Sequence, residues 1–191
     1  MSDPSALQAF NNVGRLSALA SGQTYNFATA YPHGGTALGL VSGVQIKRTE
    51  GRQLIVAEEF GVEVVDEVYA GEAWLISFAL RGWDSDAILA CFPNTDLGTT
   101  SKFRGVDYPG TTVKPGALKS TLATKVLFTP NDTANHAAVY MPNAFAELAE
   151  DLTIALGRTE EALIACAFRA LRDGATAGRA VQVRLLEDLT A

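Results

Sequence analysis

The sequence has few of the residues on which catalytic and metal sites most often depend. Its 191 residues include only two histidines and two cysteines. His33 and His136 lie far apart in the chain and no Cys-x-x-Cys pair occurs, so no metal-ligand spacing is present. Cys91 and Cys166 both lie in apolar segments, which is typical of buried, reduced thiols. We therefore predict no metal site, no cofactor site and no structural disulfide.

An excess of positive charge and long apolar runs are also absent. The chain has 15 basic and 21 acidic residues, a net charge of −6. Because affinity for nucleic acid comes largely from basic side chains that neutralise phosphates, a role in gripping DNA is disfavoured. The most apolar stretch, residues 162–170, is far shorter than the roughly 20 residues of a membrane-spanning helix. The N-terminus lacks a basic region followed by an apolar run, so we predict no secretory signal.

The overall balance of residues is that of one globular domain. Apolar residues make up 48% and charged residues 19% of the chain. We expect a single domain over 1–191, with an N-terminal arm over 1–30. The segment 94–120 contains four glycines, two prolines and five threonines. More than about 15 residues without regular structure usually have a specific role, so we predict a functional loop there.

The segment 38–80 has the period-two alternation of apolar residues that is typical of β-strands. Four strands are predicted, at 38–47, 54–58, 62–69 and 74–80. Glycine-containing turns are predicted at 49–52 and 70–72, and Phe60-Gly61 is expected to interrupt the chain between the second and third strands. Short turns between successive strands predict an antiparallel meander.

One short helix is predicted after the meander. Asp84, Ser85 and Asp86 can accept the free amides of a helix start, and residues 87–92 supply about two turns before Pro93. Further strands are predicted at 121–128, at 137–141 (ended by Pro142-Asn143) and at 181–186.

Residues 159–172 fit two structures. The segment has strong helix formers with acidic residues at its start, which favours a helix. Its apolar residues also alternate, and with 152–156 and the Gly157-Arg158 turn it could form a hairpin. The β-rich context favours a strand, and the helix remains the alternative.

A search for catalytic motifs yields none that we would assign. His33 precedes two glycines, as in some oxyanion-hole loops, but Gly39 to Gly43 does not have the Gly-x-Ser-x-Gly spacing of an exposed nucleophile. The acidic pairs Glu58-Glu59 and Asp66-Glu67 are adjacent residues on predicted strands. Their side chains point to opposite faces, so neither pair converges on one substrate. We predict a protein that is not an enzyme and has no catalytic residue.

The stretch from Gly35 to Ala87 resembles the tail tube proteins of tailed phages. The resemblance rests on a glycine-rich opening strand, the Glu58-Glu59-Phe60-Gly61 step, the Val65-Asp66-Glu67-Val68 strand, the Gly71-Glu72 turn, the Trp74–Leu80 strand and the aspartate-capped helix. Residues 142–144 and 168–171 extend it, so that it covers about two-thirds of the chain.

The resemblance implies a mainly β fold, an antiparallel β-sandwich or small barrel with one short flanking helix. It also implies that six copies form a ring whose strands join across subunits, and that rings stack into a conduit through which DNA is ejected without specific binding. The protein would be assembled in the host cytoplasm and located in the virion tail, in contact with other tail or baseplate proteins. Type VI secretion tubes share this architecture.

In such a ring the loop 94–120 could reach the adjacent ring. Six copies at −6 each would carry about −36, and acids lining the bore would repel DNA phosphates. The candidate lumen or interface acids are Glu58, Glu63, Asp66 and Glu67.

Three other functions fit the same sequence. The chain could be another head–tail or baseplate ring component, such as a terminator, a connector or a tail-end protein, or a decoration protein. It could be a β-barrel module that encloses a small ligand. It could also be an enzyme whose site is assembled from scattered residues. Self-association distinguishes the ring proteins from the two others.

Overall fold

The fold is given by a computed structural model of the chain, which describes residues 14–20, 22–57, 63–82, 84–92, 96–99, 104–107, 116, 118, 122–133, 136–147, 163–172, 182–186 and 189. Within these ranges the chain forms ten strands and one helix. The strands are β1 (Gly14–Ala20), β2 (Thr36–Ala37), β3 (Val41–Ala57), β4 (Glu63–Leu80), β5 (Asp96–Thr99), β6 (Arg104–Asp107), β7 (Thr124–Pro130), β8 (Ala138–Ala146), β9 (Ile164–Ala170) and β10 (Arg184–Leu186), and the helix is α1 (Ser85–Cys91).

Eight of the described strands form one antiparallel sheet. Seven follow the order β2-β1-β7-β8-β9-β4-β3, and β10 pairs with the first residues of β8 beside the β8–β9 ladder. The order does not return to β2, so the sheet is open and ends at β2 and β3. Strands β5 and β6 form a separate hairpin near α1. The prediction of a mainly β fold with one short helix is confirmed.

The main core lies on one face of the sheet. Ile76, Phe78 and Leu80 alternate along β4 and are buried, and Phe168 of β9 stacks on Phe78 with ring centroids 5.9 Å apart. Helix α1 closes this face with Ala87, Ile88 and Cys91, all buried.

A smaller core lies on the opposite face of β1 and β7. Leu19, Leu127 and Ala138 pack there with Tyr25, which belongs to the segment between β1 and β2. The Tyr25 hydroxyl donates a hydrogen bond to the Ser17 carbonyl oxygen at 2.9 Å. Burial raises the pKa of Tyr25, and the hydrogen bond with the Ser17 hydroxyl opposes this rise less strongly. Strands β1 and β7 are therefore buried on both faces.

Several local predictions are confirmed. The helix begins where the acidic cap was expected: the Asp84 side chain accepts a hydrogen bond from the Asp86 amide at 3.0 Å. The ambiguous segment contains strand β9, in which Ile164, Cys166 and Phe168 are buried and the residues between them are more exposed. Strand β10 falls within the predicted range 181–186, and β7 overlaps most of the predicted range 121–128.

The predicted turns at 49–52 and 70–72 are wrong. Strand β3 runs through the first and β4 through the second, so the four predicted strands are two long ones. Gly51 and Gly71 lie opposite each other, and the pairing shifts by one residue beside them because Ala70 is extra on β4. Gly71 has φ = +109°, a conformation that glycine adopts readily. The glycines therefore accommodate a β-bulge and do not reverse the chain.

The predicted end of a strand at Pro142-Asn143 is also wrong. Strand β8 continues to Ala146, and its pairing with β7 shifts register between Val126 and Thr124, opposite the proline. Proline has no amide hydrogen to donate to the ladder, and a bulge is one of the few places in a sheet that tolerates it.

The predicted arm and loop are only partly described. In the arm 1–30, residues 14–20 form β1, an inner strand of the sheet, and residues 1–13 lie outside the described residues. The loop 94–120 contains the β5–β6 hairpin, and most of its other residues lie outside the described part. A contact of this loop with a second ring stays a prediction. Among the described residues, no helix is long and apolar enough to cross a membrane.

Candidate assembly surfaces

Strands β3 and β4 extend together beyond the rest of the sheet. The pairing of β4 with β9 ends at Leu75, whereas its pairing with β3 continues to Ala57 and Glu63. We call residues 48–57 and 63–74 the ribbon. Within the described residues it has no third strand, and the one contact seen on the outer edge of β4 is a hydrogen bond from the Gln182 side chain to the Glu72 carbonyl oxygen at 2.9 Å.

Charged side chains pair across the half of the ribbon that is nearer the sheet, which we call its lower half. Arg48 contacts Glu72 at 2.7 Å and Glu50 at 3.8 Å, and Arg52 contacts Glu67 at 3.1 Å and Glu50 at 3.7 Å. The hydrogen bond from Arg48 lowers the pKa of the Glu72 carboxyl group. All of these groups are solvated, so the network contributes little to stability and mainly keeps this half of the ribbon soluble.

The upper half of the ribbon exposes apolar side chains on both faces, together with one acid on each face, Asp66 and Glu67. Val56 lies opposite Val64, and Leu54 shares their face because it is two residues from Val56. Val68 pairs with Gln53 on the other face, which Ile55 also shares. These five side chains, which we call the ribbon tip, are all exposed, by 42–56%. An apolar cluster of this kind in water is typical of a surface that another molecule covers.

Of the four candidate lumen or interface acids, the structure describes the side chains of Asp66 and Glu67. Asp66 and Glu67 lie within the ribbon tip, exposed and on opposite faces, where Asp66 is opposite Ile55 and Glu67 is opposite Leu54. The Asp66 carboxylate accepts a hydrogen bond from the Glu67 amide at 2.7 Å, and Glu67 pairs with Arg52. Glu63 is the first residue of β4, and Glu58 lies outside the described residues.

An open apolar groove lies at the base of the ribbon. It has a volume of about 410 Å³ and separates the inner face of the β3–β4 hairpin from β7, β8 and β10. Ile46 and Leu185, on its two sides, are 37% and 65% exposed. Arg48 lies over the Trp74 ring, 5.9 Å from its centroid. The lining residues are Val44, Ile46, Trp74, Phe128, Pro130, His136, Ala137, Val139 and Leu185.

His33 lies in the turn that the sequence predicted, next to Gly34. Its ring is buried, and Nδ1 donates a hydrogen bond to the Thr29 carbonyl oxygen at 2.7 Å. A cavity of about 520 Å³ lies beside it. The Nε2 atom is buried without a hydrogen-bond partner among the described residues.

No group of three or more histidine, cysteine, aspartate or glutamate side chains comes together in the part of the chain that the structure describes. Both cysteines are buried, as predicted.

Sequence patterns did not indicate the groove, because its walls come from segments spread between residues 44 and 185. The one available signal was Trp74, a large aromatic residue on the inward register of a strand.

No protein-family model matches the chain, and no curated protein matches it.

Proposed function

We propose that this protein is a structural subunit that assembles with copies of itself into rings. The observation that carries the proposal is the ribbon tip, whose apolar side chains are exposed on both faces. A two-stranded ribbon without further cover is at best marginally stable in water. Packing against a neighbouring copy would remove this apolar surface from water and hold the ribbon in place.

The more specific proposal is a hexameric ring that stacks into the tube of a phage tail, in the virion. The resemblance to tail tube proteins supports it. So does the open sheet, because edge strands such as β3 present unpaired amides and carbonyls that ring closure can pair. The net charge of −6 per chain suits a conduit that DNA crosses without binding. Glu58, Glu63, Asp66 and Glu67 remain the candidate lumen or interface acids, and another head–tail or baseplate ring component remains the nearest alternative.

Sedimentation velocity over a wide range of protein concentrations, combined with negative-stain electron microscopy, tests assembly directly. We expect a species of several copies that appears as rings, with six-fold symmetry if the tube proposal is right. A protein that remains monomeric at the highest concentration reached would contradict the proposal.

A second function is favoured by the groove alone. Its volume of about 410 Å³ and apolar lining are within the range of small-molecule sites. A monomeric protein that binds the apolar dye 8-anilinonaphthalene sulfonate, and loses this binding in Leu185→Asp, would support a ligand-binding module.

A further inference from the structure

We infer that the cavity beside His33 is a binding site for a small hydroxylated anion, a molecule of sugar size that carries one phosphate or carboxylate group. The inference does not depend on ring formation, since residues of a single copy line the cavity. The volume of about 520 Å³ is within the range of small-molecule sites.

The sheet supplies one side of this cavity. Arg15 of β1 and Thr129 of β7 are directly opposite each other in the ladder and both line the cavity, so their side chains lie on the same face of the sheet. Tyr31 and His33 line it from the segment between β1 and β2. Segments that are distant in sequence therefore meet around one space.

Two buried side-chain atoms on this cavity have no hydrogen-bond partner among the described residues. They are Nε2 of His33 and Oγ1 of Thr129, and the two residues are only 3% and 8% exposed. Buried polar groups in folded proteins nearly always have a partner, which is a protein group, a ligand or an ordered water. Because both residues line the same cavity, one ligand bound there can supply both missing partners.

The hydrogen-bonding roles of these atoms define the ligand group that they require. Nδ1 of His33 donates to the Thr29 carbonyl oxygen, so in the neutral imidazole Nε2 can only accept. The Thr129 hydroxyl can both donate and accept. A hydroxyl group of the ligand satisfies either atom.

The cavity also has a cation and no acid among the described residues that line it. Arg15 is exposed, and its guanidinium group lies over the Tyr31 ring, 5.4 Å from the centroid. The Tyr31 ring is itself held in place, because its hydroxyl donates to the Leu16 carbonyl oxygen at 2.6 Å. Arg15 has no acidic partner within the described ranges, and a guanidinium group binds phosphate and carboxylate through paired hydrogen bonds.

The size of the cavity favours an organic anion over a bare inorganic one. A sulfate ion would leave most of the volume empty. Asn131 and Thr133 add an amide and a hydroxyl to the lining, which can bond to further ligand hydroxyls. A sugar phosphate and a sugar acid both have the required combination of one anionic group and several hydroxyls.

Three substitutions remove the proposed contacts one at a time. Arg15→Gln removes the charge of an exposed side chain, and Thr129→Val removes a hydroxyl at nearly constant shape. His33→Asn removes Nε2 but keeps an amide that can donate to the Thr29 carbonyl oxygen, and asparagine tolerates the φ of +56° at this position. Lys47→Gln is the matched control for lost charge, because Lys47 is exposed and does not line the cavity.

Isothermal titration calorimetry of the full chain with glucose 6-phosphate and with gluconate tests the site. We expect at least one of the two to bind, at one molecule per chain, and the tighter one shows whether phosphate or carboxylate is preferred. Glucose lacks the anionic group and sulfate lacks the hydroxyls, so each should bind at least tenfold more weakly. Arg15→Gln and His33→Asn should also raise Kd at least tenfold, since each loses a bond of the ligand to a charged or buried group. Lys47→Gln should bind as the wild type does.

Thermal unfolding of Thr129→Val separates a binding role from a structural one. Without ligand, its Tm should equal or exceed that of the wild type, because a buried hydroxyl without a partner is lost. The same variant should bind the anion more weakly. A lower Tm without ligand would show that Oγ1 already has a partner in the free protein, and would overturn its assignment to the site.

The titrations also contain the results that would overturn the inference as a whole. If neither anion binds at millimolar concentration, water is sufficient for the buried atoms and the cavity is not a site of this kind. Binding that is unchanged in both Arg15→Gln and His33→Asn would mean that the anion binds elsewhere. Neither result affects the ring proposal, which sedimentation tests separately.

Discussion

Phe168 is fully buried at the centre of the sheet, where its ring stacks on Phe78. Replacing it by alanine removes a large apolar side chain and leaves a cavity that the surrounding core closes only in part. We expect Phe168→Ala to lower the free energy of unfolding by about 3–5 kcal/mol. Urea denaturation followed by circular dichroism measures this loss.

Leu163→Ala is the control for this substitution. Leu163 immediately precedes β9 but is 46% exposed, so the expected change is within about 0.5 kcal/mol. Equal losses in the two variants would mean that the core is not centred on β9.

Cys91 of α1 and Cys166 of β9 meet in the main core. Contact with the Cys166 thiol and burial both raise the pKa of the Cys91 thiol. Since the thiolate is the reactive form, folded protein should react with the thiol reagent DTNB much more slowly than protein unfolded in guanidinium, which should expose both thiols. Rapid modification of the folded protein would show that α1 does not cover this face.

At the scale of elements, the ribbon is separable from the domain. Its described side chains over 48–56 and 66–70 are exposed and belong to neither core cluster. Glu50 and Glu72 lie directly opposite each other, so a two-residue Asn-Gly turn can replace residues 51–71. We expect the shortened chain to keep its β-sheet spectrum and to lose assembly.

Circular dichroism and sedimentation velocity on the same sample test both halves of this prediction. Leu40→Asp, which keeps the full-length ribbon and changes a side chain that is 75% exposed, controls for handling. If the shortened chain still assembles, the sheet edges alone hold the copies together.

At the scale of the whole molecule, assembly should stabilise the fold. A partner that binds the folded state and not the unfolded chain shifts the unfolding equilibrium by mass action, so Tm depends on concentration. We expect the Tm of the wild type to rise with protein concentration, while the Tm of the shortened chain stays constant. Differential scanning calorimetry over a concentration series measures this difference. A constant Tm for both chains would argue against association of the folded state.

The sequence by itself determined the features that depend on a few neighbouring residues. Alternation of apolar side chains predicted strand residues in β3 and β4 and favoured a strand over a helix at β9, because burial on one face of a strand repeats every two residues. The acidic cap at Asp84 identified the helix start because the carboxylate bonds to an amide two residues away. The scarcity of histidine and cysteine limited the chemistry that could be assigned.

Only the tertiary structure decided the features that depend on a distant partner. The sequence around Gly51 and around Gly71 is typical of turns. The two glycines instead lie opposite each other in a continuous ladder, beside a β-bulge. The groove exists because the sheet brings Trp74 to the same place as Leu185. A local sequence pattern does not show which distant strand a residue will pack against. For that reason the ribbon, its apolar tip and the groove could be recognised only in the tertiary structure.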